Sequence, residues 1–333
     1  MRVTIVGAGV AGLVAAVELA ERGVAVEILE RGLAIGERAC SWAAGGMLAP
    51  WCERESAEQD VAVRGEAALV WWPKHIGGVE QNGTLVVAPR RDAAELARFA
   101  QRTERFERID GAEIGALEPD LEGRFDAGLF FREEGHLDPR RALQALAARL
   151  GELGVPIRFG VTANPEEIDS DAVLDCRGFV ARRDLDDLRG VRGEMLLLRT
   201  SEVSLSRPVR LLHPRIPLYV VPRADGLFMV GATMIESAAR GGVTARSAVD
   251  LLNGAYALHP AFGEAEIVET RADVRPAFPD NLPRVVRDGR VLRLNGLYRH
   301  GFLLSPALAG EAAAAVFDML ETPDEADRQR LTA

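Results

Sequence analysis

The chain has 333 residues, of which 48% are hydrophobic and 27% charged, so wholesale disorder is excluded and a sizeable core is expected. Its length lies above the usual limit for a single core and favours two domains. The formal net charge of −10 excludes nucleic acid as an expected partner, because an acidic surface repels phosphate backbones.

The chain opens with the pattern of a βαβ unit. Arg2–Val6 is an apolar strand, Leu13–Arg22 is a helix, and Val24–Leu29 is a second strand. Gly23 stands where the end of a helix favours a left-handed residue. Two apolar strands joined by a helix predict a parallel pair of strands.

The later elements change in character along the chain. Helices are predicted over 92–105, 139–153, 247–257 and 306–320, and strands over 83–88, 171–175, 194–199, 218–222, 227–231 and 290–294. For the last helix, Ser305 is the predicted N-cap and Pro306 the first helical residue. Parallel-strand patterns at both ends and a β-rich middle predict a mixed α/β fold. In it, a discontinuous Rossmann-type domain is interleaved with a β-sheet-rich domain.

A glycine fingerprint, Gly7-x-Gly9-x-x-Gly12, lies between the first strand and the first helix. The first glycine suits a tight turn, the second lets a pyrophosphate approach the backbone, and the third allows close packing of helix on strand. Glu30 ends the second strand, where a carboxylate can accept hydrogen bonds from ribose hydroxyls and repel a 2′-phosphate. The pattern predicts a dinucleotide site, with a glycine-rich turn that binds no ligand as the alternative.

Five separated patches resemble the D-amino acid oxidase superfamily of FAD enzymes, and within it the glycine oxidases of the thiamine pathway. They are residues 7–12, 41–50, 191–194, 219–223 with 231–234, and 274–276 with 298–306. The expected FAD-binding domain comprises residues 1–75, 135–190 and 270–333. The expected substrate-binding domain comprises residues 76–134 and 191–269.

The resemblance also implies four substrate-site residues. Arg275 would bind the substrate α-carboxylate through a two-pronged guanidinium contact, and the Tyr219 hydroxyl would donate to the same carboxylate. Arg299 would be a second arginine nearby, and Met234 would line the pocket. The alternatives are that Arg275 pairs with an acid such as Asp273, that Tyr219 is an ordinary sheet aromatic, that Arg299 lies on the surface, and that Met234 only packs.

FAD is the cofactor that the resemblance implies. We expect it to be non-covalent, because the cysteine that carries flavin in some relatives has no counterpart in the C-terminal third. The expected cofactor residues are Gly7, Gly9, Val10, Ala11, Gly12, Glu30, Arg31, Ser41, Ala43, Ala44, Gly45, Gly46, Met47, Gly178, Arg299, His300, Gly301, Phe302 and Leu303. No metal is expected, since the five histidines show no ligand spacing.

The implied reaction is oxidation of glycine or a small D- or N-methyl amino acid to an imine. Water then releases a 2-oxo acid and ammonia, O2 becomes H2O2, and iminoglycine could supply thiazole synthesis for thiamine. The alternatives are an FAD-dependent D-amino acid dehydrogenase with another electron acceptor, a nicotinamide-dependent dehydrogenase, and a non-catalytic dinucleotide-binding module.

The expected partners are a small amino acid, O2 and further copies of the chain in a dimer or tetramer. No membrane partner is expected, since no apolar run reaches the about 18–20 residues that span a bilayer. Three widely spaced cysteines form no disulfide pattern, and the strand pattern begins at residue 2, unlike a signal peptide. We therefore expect a cytoplasmic enzyme.

Overall fold

The computed structural model describes residues 2–213 and 218–321. Residues 1, 214–217 and 322–333 of the predicted domain ranges lie outside the described residues. The α-helices of the described ranges are α1 (Val10–Glu21), α2 (Pro50–Glu53), α3 (Gln59–His75), α4 (Ala93–Arg102), α5 (Gly111–Leu117), α6 (Pro139–Glu152), α7 (Ala245–Leu258) and α8 (Gly301–Glu321).

The β-strands form three sheets. In chain order they are β1 (Arg2–Val6), β2 (Ala25–Glu30), β3 (Met47–Leu48), β4 (Val79–Glu80), β5 (Thr84–Val87), β6 (Glu107–Asp110), β7 (Ala127–Phe131), β8 (Gly135–Leu137), β9 (Ile157–Phe159), β10 (Ala172–Asp175), β11 (Arg189–Arg199), β12 (Val209–Leu211), β13 (Leu218–Pro222), β14 (Leu227–Gly231), β15 (Ile235–Glu236), β16 (Glu266–Ala277), β17 (Arg284–Asp288) and β18 (Val291–Asn295).

A six-stranded sheet has the order β17-β18-β10-β1-β2-β9. All its neighbouring strands are parallel except β17, which runs antiparallel to β18. Helix α1 packs against α6 and α8, and α8 also packs against α3, so a continuous apolar core forms beside this sheet. Among the described helices, α8 is long and apolar enough to cross a membrane, but most of its apolar stretch is buried in this core.

A nine-stranded sheet has the order β15-β11-β14-β13-β12-β5-β7-β6, with β16 paired along β11. A small third sheet, β3-β8-β4, lies at the loop that follows β2. The six-stranded sheet takes strands from both ends and the middle of the chain, and the nine-stranded sheet takes the segments between them. The predicted mixed α/β fold with a discontinuous Rossmann-type domain is therefore confirmed. The exact domain boundaries stay a prediction, and residue 270 falls inside β16 of the larger sheet.

The predicted start of the last helix is wrong. Helix α8 begins at Gly301, and Ser305 and Pro306 lie inside its first turns, with the Ser305 hydroxyl donating to the Gly301 carbonyl. An interior proline has no N–H for the carbonyl four residues earlier, here that of Phe302. The indole Nε1 of Trp72 donates to this carbonyl at 2.8 Å, which replaces the hydrogen bond that the proline cannot donate.

Other element boundaries shift by a few residues. Helix α1 begins at Val10, because Gly9 is extended and serves as its N-cap. Helix α4 ends at Arg102, before Arg105 takes a left-handed conformation with φ of 57°. Strand β11 begins five residues before the predicted Glu194, while β13 and β14 have the predicted bounds. The sequence patterns did not predict α3 or β16.

A buried charged cluster joins α2 to the larger sheet. Glu53 at the end of α2 pairs with Arg210 of β12, and the backbone N–H of Cys52 donates to Glu134 at 2.7 Å. Glu134 is fully buried, and its second carboxyl oxygen has no hydrogen-bond partner within the described ranges. Burial raises the pKa of Glu134 to about 8. This carboxyl group is therefore neutral at pH 7.

The hydrogen bond from the Trp72 indole should contribute less to the free energy of unfolding when residue 306 has its own backbone N–H. Trp72→Phe removes the donor to the Phe302 carbonyl, and Pro306→Ala supplies an intrahelical one. We expect Trp72→Phe to cost about 1 kcal/mol more in the native chain than in the Pro306→Ala background. Urea unfolding of the four chains measures this coupling, and equal costs in both backgrounds would contradict the account.

Glu134 should make stability fall as pH rises. The unfolded carboxyl releases its proton near 4.5, while the folded one holds it to about 8, so the folded state binds more protons between these values. The free energy of unfolding should decline across this window in the native chain and decline less in Glu134→Gln. Urea unfolding at about pH 6 and about pH 9 tests this. Parallel pH profiles for the two chains would show that the expectation is wrong.

Candidate cofactor and substrate site

One long cleft is lined by residues of both larger sheets. The six-stranded sheet and its turns contribute Gly7, Gly9 and Glu30, and the nine-stranded sheet contributes Tyr219 and Arg275. The structure therefore brings the predicted dinucleotide turn and the predicted substrate residues to the same cavity, although they are far apart in the chain.

Different structural features explain the glycine at each of the three fingerprint positions. Gly7 has a φ of 108°, and a Cβ there would lie 2.6 Å from the Cys176 carbonyl oxygen. A Cβ at Gly12 would lie 1.9 Å from the Gly7 carbonyl oxygen. A Cβ at Gly9 would meet no atom closer than 3.8 Å, so packing does not demand glycine there. The missing side chain at Gly9 instead leaves the cleft open beside the start of α1.

The start of α1 suits a pyrophosphate. Helix N-termini present unpaired backbone N–H groups and the positive end of the helix dipole. The first turn of α1 holds no acidic residue that would occupy this end. Ser41 accepts a hydrogen bond from the Val10 N–H at 3.3 Å and also lines the cleft. These features fit the anionic part of FAD.

Glu30 is fixed at the wall of the cleft and is 8% exposed. One carboxylate oxygen accepts from the Ala8 N–H at 2.7 Å and the other from the Gly32 N–H at 2.6 Å. Each oxygen keeps a further acceptor position, which suits ribose hydroxyls. A fixed negative charge here also fits a ribose without a 2′-phosphate.

The loop between β2 and α2 forms another wall. Gly45 lines the cleft, and a Cβ there would lie 2.8 Å from the Tyr219 ring. Its carbonyl accepts from Arg223 at 2.6 Å, which ties the loop to β13. Gly46 does not line the cleft; it has a φ of 75°, and a Cβ there would lie 2.2 Å from the Leu137 carbonyl oxygen.

Most expected cofactor residues line the cleft. Those that do are Gly7, Gly9, Val10, Ala11, Glu30, Arg31, Ser41, Ala43, Ala44, Gly45, Met47, Gly178, Arg299, Gly301 and Phe302. The other four lie behind its wall. Gly12 packs on Gly7, Gly46 on Leu137, and Leu303 on Gly65, while His300 faces Glu53.

Arg275 lies on β16, opposite Val191 of β11. Its guanidinium crosses Gly193, where a Cβ would lie 2.2 Å from the Arg275 Cζ atom. Nη1 donates to the Thr233 carbonyl at 3.0 Å. Within residues 2–213 and 218–321, no carboxylate pairs with this guanidinium. Removal from water lowers the pKa of Arg275 below its usual value. The Asp273 carboxylate accepts from the Val274 N–H instead, so the predicted alternative pairing does not form.

Tyr219 and Met234 lie in the same cleft. Tyr219 is half-buried on β13, and its hydroxyl has no hydrogen-bond partner within the described part of the chain. Met234 is 50% exposed, and the Tyr298 hydroxyl lies 3.6 Å from its sulfur. The cleft thus holds a cation and a hydroxyl donor, Arg275 and Tyr219, that protein acceptors leave available.

Arg299 differs from Arg275 because it has an acidic partner. Its Nη2 lies 3.5 Å from a Glu53 carboxylate oxygen, and His300 Nδ1 lies 3.5 Å from the same oxygen. Burial opposes ionisation of Glu53, but the charges of Arg210 and Arg299 hold its pKa well below the usual range. Burial also lowers the pKa of His300 to about 4, so this imidazole is neutral at pH 7.

Sequence reasoning missed three residues that shape this site. Gly193 makes room for the guanidinium, Thr233 accepts its hydrogen bond, and Glu53 pairs with Arg299. A glycine inside a strand signals close approach of another group, so Gly193 carried a usable signal. No local sequence pattern marked Thr233 or Glu53, because their partners come from distant segments of the chain.

The described residues contain no group of three or more His, Cys, Asp or Glu side chains that could hold a metal ion. Cys40, Cys52 and Cys176 are all free thiols. The expectation of no metal stays a prediction.

Comparisons with known proteins agree with this geometry. A protein of Rhizobium etli, named as the thiamine biosynthesis oxidoreductase ThiO, is 58% identical over 94% of this chain and 95% of its own. A glycine oxidase of Pseudomonas aeruginosa is 27% identical over 92% of each chain. The crystal structure of glycine oxidase from Bacillus cereus has the same fold, with a TM-score of 0.80, 24% identity and 95% coverage of both chains.

The match to a family extends over nearly the whole chain. Residues 2–315 match the family described as FAD dependent oxidoreductase, and this range includes the glycine turn, both larger sheets and Arg275. The cleft has a glycine turn, a helix N-terminus and a carboxylate at the end of β2, which are the features that suit this cofactor. The chain therefore belongs to the family of FAD-dependent oxidoreductases.

Proposed function

We propose that this enzyme oxidises glycine, or a small D- or N-methyl amino acid, and passes the electrons to O2. The observation that carries the proposal is the Arg275 guanidinium, which lies in the FAD cleft without an acidic partner in the described residues. The names of the Rhizobium etli and Pseudomonas aeruginosa relatives support glycine as substrate and thiamine synthesis as destination. By this analogy, the iminoglycine product would supply thiazole assembly.

The substrate carboxylate would bind Arg275 and Tyr219. A guanidinium offers two parallel N–H groups to a planar carboxylate, and charge-assisted bonds of this kind are the strong ones. Tyr219 adds a neutral donor from β13. Because Gly45 packs against the Tyr219 ring, the same contact would position the substrate relative to the loop that lines the flavin side of the cleft.

FAD, when bound, supplies a two-electron acceptor for the hydrogen on the substrate Cα. The chain would provide binding and orientation, since every carboxylate that lines the described cleft already has a partner: Glu30, Glu37 and Asp273 accept from backbone N–H groups, and Glu53 is ion-paired. The substrate amine must then lose its proton before oxidation, so the rate should rise with pH. Gly301 and Phe302 bring the positive end of α8 to the cleft, where it can stabilise negative charge on the reduced cofactor.

The assignments of cofactor residues to FAD are part of this proposal. Gly7, Gly9 and the start of α1 would hold the pyrophosphate, and Glu30 would hold the ribose of its adenosine half. We further propose a cytoplasmic protein that contacts no membrane and forms a dimer or tetramer. The three free thiols are consistent with a reducing compartment.

A peroxide-coupled assay under air tests the function directly. The FAD-loaded protein should form H2O2 with glycine, sarcosine, D-alanine or D-proline, and more slowly with larger D-amino acids. Flavin that bleaches under anaerobic conditions with these substrates, but gives no peroxide in air, would indicate a dehydrogenase. No bleaching with any of them would overturn the proposal.

Removal of the Arg275 guanidinium should cut kcat/KM by about 100-fold or more, because charge-assisted bonds to the carboxylate are lost. Gly193→Ala keeps the cation but displaces it, so it should also lower kcat/KM, by about 10-fold. Arg271→Ala is the matched control on the same strand, since Arg271 does not line the cleft. Near-native turnover in Arg275→Ala with the best substrate would rule out this anchor.

A further inference from the structure

The segment between β15 and α7 carries a further arginine to the cleft. Arg240, near the middle of this segment, lines the same cavity as Arg275. Its side chain is exposed, and no hydrogen bond or ion pair involves it within the described ranges. Neither the sequence patterns nor the proposed reaction gives this residue a role.

The backbone around Arg240 is held by a buried arginine. Arg192 of β11 donates through Nη1 to the Ala239 carbonyl at 2.8 Å, and through Nη2 to the carbonyls of Gly241 and Gly242. These acceptors flank Arg240 on both sides. The segment is therefore fixed by side-chain bonds rather than by regular secondary structure.

Arg192 is itself fixed by Glu194. The Arg192 Nε atom donates to the Glu194 carboxylate at 2.5 Å, and both side chains are buried. The other Glu194 oxygen accepts from the N–H and the hydroxyl of Thr244, each at 3.2 Å. The middle and the C-terminal end of the segment that carries Arg240 are thus tied to β11.

This anchoring lies next to the carboxylate anchor of the proposed reaction. Arg192 pairs in register with Val274, the neighbour of Arg275, and side chains alternate between the faces of a strand. Arg192 therefore lies on the face opposite Gly193 and Arg275, and the segment it holds brings Arg240 to the cleft. The cleft therefore contains an arginine whose backbone is held in place. Within the described residues, no carboxylate forms an ion pair with it.

We propose that Arg240 binds a second carboxylate, so that the substrate class includes amino acids with two carboxylates. This inference rests on the proposed function, in which Arg275 binds the first carboxylate. The second carboxylate can belong to the side chain, as in D-aspartate, or to the substituent on nitrogen, as in iminodiacetate. The chemistry is that of the proposed oxidation: iminodiacetate, O2 and water give glycine, glyoxylate and H2O2.

Paired substrates isolate the second charge. D-aspartate is compared with its neutral isostere D-asparagine, and iminodiacetate with sarcosine, in the peroxide assay of the FAD-loaded enzyme. We expect Arg240→Gln to lower the kcat/KM ratio of the charged to the neutral substrate by about 10-fold or more, mainly through KM. Arg240→Lys should restore part of the ratio, and added salt should lower it in the native enzyme.

Arg246→Gln is the matched control, because Arg246 is an exposed arginine at the start of α7 that does not line the cleft. It should leave both ratios unchanged. Ratios that are the same in Arg240→Gln and the native enzyme, together with active glycine oxidation, would overturn the role of Arg240 and leave the proposed function intact. Absence of peroxide and flavin bleaching with every substrate, glycine included, would overturn both.

Discussion

The site depends on a partly buried cation that no carboxylate of the described residues neutralises. Burial of an unpaired charge is costly, and Arg275 has a single hydrogen bond, to the Thr233 carbonyl, within the described residues. The fold nevertheless provides room for it, since the guanidinium lies over Gly193, where a Cβ would clash with it. A carboxylate ligand would offset this cost. The unpaired charge that reduces the stability of the free protein would therefore favour binding of an amino acid.

Arg275 and Arg299 line the same cleft, and their local environments separate their roles. Arg299 is paired with Glu53, which also contacts Arg210 of the larger sheet, so its charge is already balanced. Arg275 has no such partner and can bind a ligand carboxylate more strongly. The sequence around each arginine cannot make this distinction, because Glu53 lies in α2, far from both arginines in the chain.

Sequence patterns predicted most of the parts that are local. The first βαβ unit, the β13–β14 hairpin and Glu30 at the end of β2 follow from periodicity and turn chemistry within short segments. The start of α8 was missed because its interior proline is tolerated only through a hydrogen bond from Trp72, far away in the chain. Gly45 and Gly46 looked equivalent in the sequence, yet only Gly45 lines the cleft, since Gly46 is required by the Leu137 carbonyl. Tertiary contacts of this kind have no signature in a single segment.

A crystal structure of the enzyme with FAD and glycolate tests the central claim most directly. Glycolate has the carboxylate of glycine but a hydroxyl group in place of the amine, so it can occupy the site without the amine chemistry. The account predicts that two nitrogens of the Arg275 guanidinium lie within hydrogen-bond distance of the glycolate carboxylate. It also predicts that the Tyr219 hydroxyl lies beside this carboxylate. Glycolate bound elsewhere, or an Arg275 guanidinium paired with a carboxylate of the chain itself, would contradict it.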